Sequence, residues 1–432
     1  MIDQATDTGA VPETKRRALL RNRNFMLLWG AQTAGEVGSQ ITTIAIPLLA
    51  LGVLDASVFE VSLLTALAWF PYLVFSLPAG ILVDRFDPRR LMIGCDVGRL
   101  SLLAVIPIAF QLNVLSIGLL GALAFLSGLL TVLFNVCYQT YLPRVVPEDQ
   151  LVDGNGKIAL STEVAELVGP STSGLLVSLV GAARTFLASG LAYLLSAVAL
   201  LMMRGSAPRA VEDEDEDDAP LRVQIMGGLK FIRNHRILRS ILATDTTSNF
   251  FVMASGALEV TFLVRELDLS SKAVGLVFTI SALGGITAGL LAGRLSAWIG
   301  DARIIWVAML VPGPLYFLMP FSQPGPLGLV TFGLGLAAFS ANVVLYNTAA
   351  TSFQQRITPE RLLGRVNATS MWVSLGVVPI GALTGGWLGT QFGLRTALLI
   401  CVVGTWSAAL WVFFSPLRRM RDASEAMEPE TA

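Results

Sequence analysis

Acidic side chains inside long apolar runs are the residues of this 432-residue chain best suited to chemistry. Gln32, Glu36 and Gln40 are spaced four residues apart, so on a helix they form one polar stripe. Glu163 and Glu166 are three residues apart and share a face, and two neighbouring carboxylates disfavour joint ionisation. Carboxyl groups that gain and lose a proton inside a cavity are what proton coupling requires. The candidates for proton coupling are Glu36, Glu163, Glu166 and Asp245.

Uncharged polar and aromatic side chains recur at helical spacing and are candidates to line a cavity for a small molecule. Asn135 and Gln139 are four residues apart, as are Asn342 and Tyr346. The polar candidates are Gln32, Gln40, Asn135, Gln139, Asn249 and Asn342, and the aromatic ones are Trp69, Tyr138, Phe250, Tyr346 and Trp372. Few fixed charges among them favour bulky, partly hydrophobic cargo.

Several classes of chemistry are excluded by residues that the sequence lacks. His235 is the single histidine, so no histidine-based zinc site or catalytic triad can be assembled. No phosphate-binding G-x-x-x-x-G-K-[ST] loop is present. Cys95, Cys137 and Cys401 lie far apart in apolar runs, which indicates helix packing and no metal cluster. We therefore expect a protein that is not an enzyme, with no cofactor, no metal and no nucleic-acid partner.

Composition places these residues in a membrane. Apolar residues make up 54% of the chain and charged residues 14%, against about 45–50% and about 25% in soluble proteins. The segments are too long and continuous for barrel strands, so they predict an all-α membrane protein with twelve transmembrane helices. The apolar segments are 24–54, 60–83, 90–110, 114–141, 157–182, 185–203, 238–264, 271–298, 303–322, 326–353, 365–390 and 395–415.

Basic residues predict the orientation of the chain. If the N-terminus is cytoplasmic, the cytoplasmic segments hold 25 Lys and Arg residues and the outer loops hold four. Because cytoplasmic loops carry the excess of Lys and Arg, both termini are predicted to be cytoplasmic. No removable signal peptide is indicated. We expect a multi-pass protein of a bacterial inner or plasma membrane.

The chain resembles itself at a constant offset. Asn135 matches Asn347, and Gly169 matches Gly381, both 212 residues apart. A constant offset across six helices predicts two parallel six-helix repeats with a substrate site between them. The predicted regions are a tail (1–23), an N-terminal half (24–203), a linker (204–237), a C-terminal half (238–415) and a second tail (416–432). The linker contains the acidic run 212–218 and an amphipathic stretch from Leu221 to Arg239 that is expected at the inner membrane face.

The loop after the second segment carries the most specific motif, Gly80-Ile-Leu-Val-Asp84-Arg85-Phe-Asp-Pro-Arg89-Arg90. It resembles the G-x-x-x-D-R-x-x-R-R signature of the major facilitator superfamily, in which this loop locks the two halves together when the carrier is open outward. The resemblance implies alternating access by rocking of the halves, and it suggests Arg365 as a partner for Asp84.

Other strings resemble the drug and siderophore exporter branch of that superfamily, which includes macrolide-efflux and enterobactin-exporter relatives. Leu28-Trp-Gly-Ala-Gln32 and Leu142-Pro-Arg-Val-Val-Pro147 are two of these strings. Gly169-Pro170-x-x-x-Gly174 partly matches the antiporter signature of that branch. The gating candidates are Gly80, Asp84, Arg85, Arg89, Arg90, Asp96, Arg99, Gly169, Pro170 and Arg365, where Asp96 and Arg99 can pair locally at i, i+3.

The sequence therefore predicts a secondary active transporter that exports amphipathic small molecules, drugs or siderophores, in exchange for protons or another ion. A monomer in the lipid bilayer is expected. Two alternatives stay open at this point. One is a metabolite importer or facilitator, and the other is a non-transporting membrane sensor or lipid-handling protein.

Overall fold

The computed structural model describes residues 19–147, 150–204 and 229–421, and all regular elements in these ranges are helices. The first six are α1 (Arg23–Val53), α2 (Val58–Arg85), α3 (Pro88–Gln111), α4 (Ile117–Val145), α5 (Leu151–Val180) and α6 (Ala182–Met202). The remainder are α7 (Arg236–Arg265), α8 (Ser271–Ile299), α9 (Asp301–Leu310), α10 (Gly313–Tyr316), α11 (Pro326–Ile357), α12 (Glu360–Gly376), α13 (Val378–Phe392), α14 (Leu394–Ser407) and α15 (Ala409–Phe413). A 3₁₀ turn, Pro416–Arg419, follows.

Each of the twelve apolar segments corresponds to one helix or to a pair of consecutive short helices. Ten stretches of the described residues are long and apolar enough to cross a membrane. Helix α5 is 30 residues long but carries four charged side chains, Asp153, Lys157, Glu163 and Glu166. The remaining segment is the shorter apolar stretch Ala302–Tyr316. The all-helical membrane fold expected from composition is confirmed.

Local sequence determines where the helices begin. The Asn22 side chain accepts hydrogen bonds from the backbone N–H groups of Asn24 and Phe25, which are free at the first turn of α1. Asp87 caps α3 in the same way, with Pro88 at the first helical position. The His235 ring nitrogen Nδ1 accepts from the backbone N–H of Leu238 at 3.4 Å. Burial lowers the pKa of His235, which favours the neutral ring that this cap requires.

One transmembrane segment is broken in its middle. Helix α9 ends at Leu310 and α10 begins at Gly313, with Pro312 between them. The indole nitrogen of Trp406 donates a hydrogen bond to the Leu310 carbonyl at 3.2 Å, one of the carbonyls at the end of α9. A Cβ on Gly313 would collide with that same indole ring, so glycine is required at this position.

The internal repeat is visible in the backbone. Asp55 and Asp268, which are 213 residues apart, both have positive φ, at 47° and 52°. Asn113 and Gly325, which are 212 residues apart, have φ of 57° and 106°. Gly181 and Gly393, at the same offset, have φ of 86° and 81°. Turns with matching backbone conformation at equivalent positions confirm the two parallel six-helix repeats.

The two halves share a core at only one end of the bundle, which we call the far end, where α1 ends at Val53 and α2 begins at Val58. The largest apolar cluster lies there and contains residues of both halves, among them Leu49, Leu64, Leu258 and Phe262. At the opposite end, the terminal end, α1 begins and α15 finishes. Two separate clusters lie there, one in each half. The described residues therefore form a bundle that is closed at the far end and divided at the terminal end.

Close contacts between the halves occur toward the far end. A Cβ on Gly174 of α5 would lie 2.6 Å from the Cα of Gly275 in α8. A Cβ on Gly386 of α13 would collide with the Ser62 side chain of α2. The Arg265 guanidinium donates to the Ala56 carbonyl at 2.7 Å.

The amphipathic stretch predicted around the linker lies partly outside the described residues, as does the acidic run 212–218. Residues 229–234 are helical, with Lys230 and Arg233 exposed. Ile232 is buried against Leu238 and Val366, so this part of the stretch packs on the C-terminal half.

Candidate functional site

Helix α1 presents the polar stripe predicted from its sequence. The Gln40 side-chain amide donates a hydrogen bond to a carboxylate oxygen of Glu36 at 2.9 Å. Glu36 is half-buried, and Gln32 is buried one turn away. The Gln32 side-chain oxygen has no hydrogen-bond partner among the described residues. The stripe thus offers a carboxylate and an acceptor to a proton or a polar ligand.

Helix α5 has two exposed faces of different character. Leu160, Val164 and Val168 are exposed along one face, which is apolar and suited to lipid. Glu163 and Glu166 are exposed on another face. Glu166 is close enough to Glu163 and to Glu36 of α1 for their charges to interact. The structure therefore brings three of the four predicted coupling carboxyl groups together where α5 borders the division between the halves.

The fourth carboxyl group, Asp245, lies in α7 of the other half. The Tyr346 hydroxyl of α11 donates a hydrogen bond to it at 2.6 Å. Asn249 lies one turn further along α7, and its amide reaches the Ser374 carbonyl at 3.5 Å. Asn342, one turn from Tyr346, is buried. A second polar cluster therefore connects α7 and α11 in the C-terminal half.

The other cavity candidates are not gathered into one site. The Asn135 amide donates to the Tyr72 hydroxyl at 3.1 Å, and the Trp69 ring is 5.2 Å from that of Tyr72. Tyr72 is thus a polar contact between α2 and α4 that the sequence analysis missed. The remaining candidates lie apart from this group: Tyr138 is buried, Gln139 and Trp372 are exposed, and Phe250 packs edge-on against Phe251 at 5.1 Å.

The gating motif is only partly described, because the side chains of Gly80, Asp84 and Arg85 lie outside the described residues. Arg89 donates to three backbone carbonyls at the C-terminal end of α6, those of Leu200, Leu201 and Met203, at 2.7–3.0 Å. These carbonyls are the negative end of the helix dipole, so a guanidinium stabilises them.

Two further gating candidates make contacts near the same loop or across from it. Arg90 is exposed and lies 3.7 Å from Asp87. Arg365, from α12, is half-buried.

Asp96 and Arg99 form a buried ion pair in α3, with 2.5 Å between the carboxylate and the guanidinium. Their side chains are 0% and 3% exposed. The guanidinium also lies over the rings of Phe134 and Tyr193, at 4.7 and 4.2 Å from the ring centres. The pair connects α3 to α4 and α6 and holds the N-terminal bundle together.

The helix pair α1 and α5 is packed tightly at the partial antiporter signature. A Cβ on Gly169 would collide with the Gln40 side chain. One turn further, the Ser173 hydroxyl donates to the Ile41 carbonyl at 2.8 Å. Gly169 and Pro170 therefore lie where α5 touches the polar stripe of α1, and a larger side chain would push these helices apart.

Sequence analysis missed one carboxyl group, Glu259 of α7. It borders a small cavity inside the C-terminal half, and the Ser255 hydroxyl donates to it at 3.3 Å. A single acidic residue in the apolar run from Val252 to Leu263 was the signal that could have identified it.

Relatives of known name cover nearly all of the chain. It is 24% identical over 423 residues to the multidrug efflux pump Tap of Mycolicibacterium fortuitum, covering 96% of this chain and 99% of that protein. It is 23% identical over 388 residues to macrolide efflux protein A of Streptococcus pyogenes, covering 88% and 94%.

Solved structures show the same fold. A variant of the nucleoside transporter NupG superposes with a TM-score of 0.71 at 12% identity, covering 91% of this chain and 99% of that one. A bacterial homologue of the human lysosomal transporter Spinster, inward-facing and unoccupied, gives 0.69 at 15% identity, covering 98% and 100%.

The family assignment rests on the whole chain. Residues 14–431 match the profile of a family described as transmembrane secretion effector. The chain thus belongs to the transmembrane secretion effector family of the major facilitator superfamily, a family of multi-pass membrane transporters and not of enzymes.

Proposed function

We propose that this transporter exports amphipathic small molecules, drugs among them, in exchange for protons. The observation that carries the proposal is the group of carboxyl groups, Glu36, Glu163 and Glu166, at the border between two halves that part at the terminal end. The printed names of two relatives, a multidrug efflux pump and a macrolide efflux protein, support export as its direction.

The charge pattern supports this class of cargo. Apart from Arg99, the described transmembrane helices hold no basic residue away from their ends, and Arg99 is paired with Asp96. A carrier for anionic metabolites would need a free cation near its midplane, whereas lipophilic cargo needs apolar walls and few polar contacts. Siderophores with extensive apolar surface fit the same description, and we include them in the proposed cargo.

We propose that the protein works as a monomer in a bacterial inner or plasma membrane, with both termini in the cytoplasm. In that orientation the division at the terminal end opens toward the cytoplasm, where an exporter collects its cargo. The regions 1–23, 24–203, 204–237, 238–415 and 416–432 are the units of this proposal. The two halves rock about their contacts, and carboxyl groups that lose protons on one side and gain them on the other drive the cycle.

An accumulation assay in an efflux-deficient bacterial host tests the proposal. Cells that produce the protein should accumulate less of a fluorescent lipophilic dye or of a labelled macrolide than cells with an empty vector. A protonophore should remove the difference. Greater accumulation than in the control would instead support the importer. If no compound of either class responds, export of amphipathic compounds is wrong.

A further inference from the structure

Glu259 lies in a cavity that is separate from the space between the halves. It belongs to α7, and the cavity wall is completed by α11, α14 and the turn after α10. The central space measures about 20 Å³, enough for one water molecule. Because all of these elements belong to the C-terminal half, the cavity is internal to one bundle.

No cation balances the Glu259 carboxylate among the described residues that line this cavity. The titratable groups that face it are the Tyr316 hydroxyl and the Cys401 thiol. Helix α13, which also packs on α7, contains no charged residue, and α11 and α14 contain only Arg356 and Arg395, close to their ends. An unbalanced carboxylate in such a place is costly, so a positive charge must accompany it.

A second polar group points into the same space without a partner. Tyr316 is 2% exposed, and its hydroxyl has no hydrogen-bond partner among the described residues. Thr405, 4% exposed, also lines the cavity. Buried polar groups are nearly always hydrogen-bonded, so an unpartnered hydroxyl facing a buried carboxyl group indicates that something binds between them.

We infer that Glu259, Ser255, Tyr316 and Thr405 form a proton-binding site of the C-terminal half, distinct from the carboxyl groups of Glu36, Glu163 and Glu166. A proton from water binds a carboxylate oxygen of Glu259, and one water molecule connects the carboxyl group to the Tyr316 hydroxyl. Six residues separate Glu259 from the end of α7 at Arg265, which is about 9 Å along the helix. The proton therefore has its shortest path from the far end.

The donor set favours a proton over a metal ion. A divalent cation takes about six or more oxygen ligands. The four side chains here supply five oxygens, two of them from a single carboxylate. A proton needs only one carboxylate oxygen and neutralises the charge completely.

Thermal unfolding of the full-length protein in detergent tests the inference. Unfolding is followed by tryptophan fluorescence between about pH 6 and pH 9 in choline chloride. Loss of the proton should lower the apparent Tm of the wild type toward pH 9 by at least about 3 °C more than that of Glu259→Gln, which stays neutral. Glu60→Gln, at an exposed carboxyl group, should follow the wild type. A Glu259→Gln profile identical to that of the wild type would overturn the inference.

Two further arms decide the ligand. If sodium chloride, unlike choline chloride, restores the Tm of the wild type at pH 9 and leaves Glu259→Gln unchanged, the site takes a metal cation and the proton assignment is wrong. Tyr316→Phe keeps the carboxyl group and removes its partner, so the pH midpoint of the loss should shift by about half a unit or more. It carries the test if Glu259→Gln does not accumulate, and an unshifted midpoint contradicts the site. No transported compound is used, so the result is independent of the proposed efflux.

Discussion

Glu36 combines a half-buried carboxylate with a local hydrogen bond from Gln40, and its replacement separates proton exchange from packing. Glu36→Gln keeps the side-chain size and an acceptor for Gln40, but the amide cannot release a proton. We expect the variant to reach the membrane in normal amounts and to lose protonophore-sensitive efflux by about tenfold or more. Dye accumulation in cells, together with the amount of protein in isolated membranes, measures both effects.

The matched control is Glu60→Gln, because Glu60 lies at the exposed start of α2. It forms a capping box with Ser57, and glutamine is accepted at that position. Efflux by this variant should equal that of the wild type. Normal efflux with normal pH dependence in Glu36→Gln would remove Glu36 from the coupling machinery.

The Asp96–Arg99 pair makes a prediction about stability. Asp96→Ala leaves the Arg99 guanidinium buried without its counter-charge, which costs about 3–5 kcal/mol. The apparent Tm in detergent should fall clearly. The double variant Asp96→Leu, Arg99→Met removes both charges and should recover most of the loss. If the double variant is no more stable than Asp96→Ala, the cost comes from packing around Phe134 and Tyr193 and not from the lone charge.

At the scale of elements, the contact of α5 with α8 sets how closely the halves can approach at the far end. Gly174→Ala adds a Cβ that would lie 2.6 Å from the Gly275 Cα and 2.8 Å from the Ser271 carbonyl oxygen. These are backbone atoms, so the helices must separate. We expect the variant to favour states that are open at the far end, shown by faster labelling of a cysteine placed at Ser178.

Gly256→Ala is the control for this substitution, because a Cβ on Gly256 meets no atom within 4 Å. It should label at the rate of the otherwise identical parent carrying the same cysteine. Equal labelling of the Gly174→Ala and Gly256→Ala proteins would show that α5 and α8 do not control closure.

Hydropathy predicted the helical segments well but not their interruptions. The segment 303–322 contains Pro312 and Gly313, which indicate a break, yet only the structure shows that Trp406 occupies it. Similarly, α12 ends at Gly376 and α13 begins at Val378, within one predicted segment. Local signals identify a weak point in a helix, whereas the partner that stabilises it comes from far along the chain.

At the scale of the whole molecule, the linker is predicted to take no part in transport chemistry. The run 212–218 consists of seven acids, which cannot enter the bilayer. Replacing it with a Gly/Ser segment of equal length preserves its reach. Efflux per molecule of inserted protein should stay within about twofold of the wild type, measured by accumulation and membrane content. A large loss in a normally inserted variant would identify the run as a regulatory or partner-binding element.

Long-range partners mark the limit of what the sequence could predict. The polar stripe of α1 followed from spacing alone, because Glu36 and Gln40 are one turn apart. The contact of Arg89 with the end of α6 joins residues 111 or more positions apart, and no local pattern indicates it. The same holds for the Tyr316 hydroxyl that faces Glu259, since it depends on the turn after a broken helix.

The paired turns also preserve a record of the ancestry of the chain. Asn113 and Gly325 differ in residue type but share a left-handed backbone, and both residues tolerate that conformation. Gene duplication followed by divergence leaves this trace when the turn geometry is retained and the side chains are free to drift. Gly300 has positive φ where its counterpart by offset is Pro88, whose ring cannot adopt it. The two copies of that loop have therefore diverged in backbone, and it is there that one half acquired a motif the other lacks.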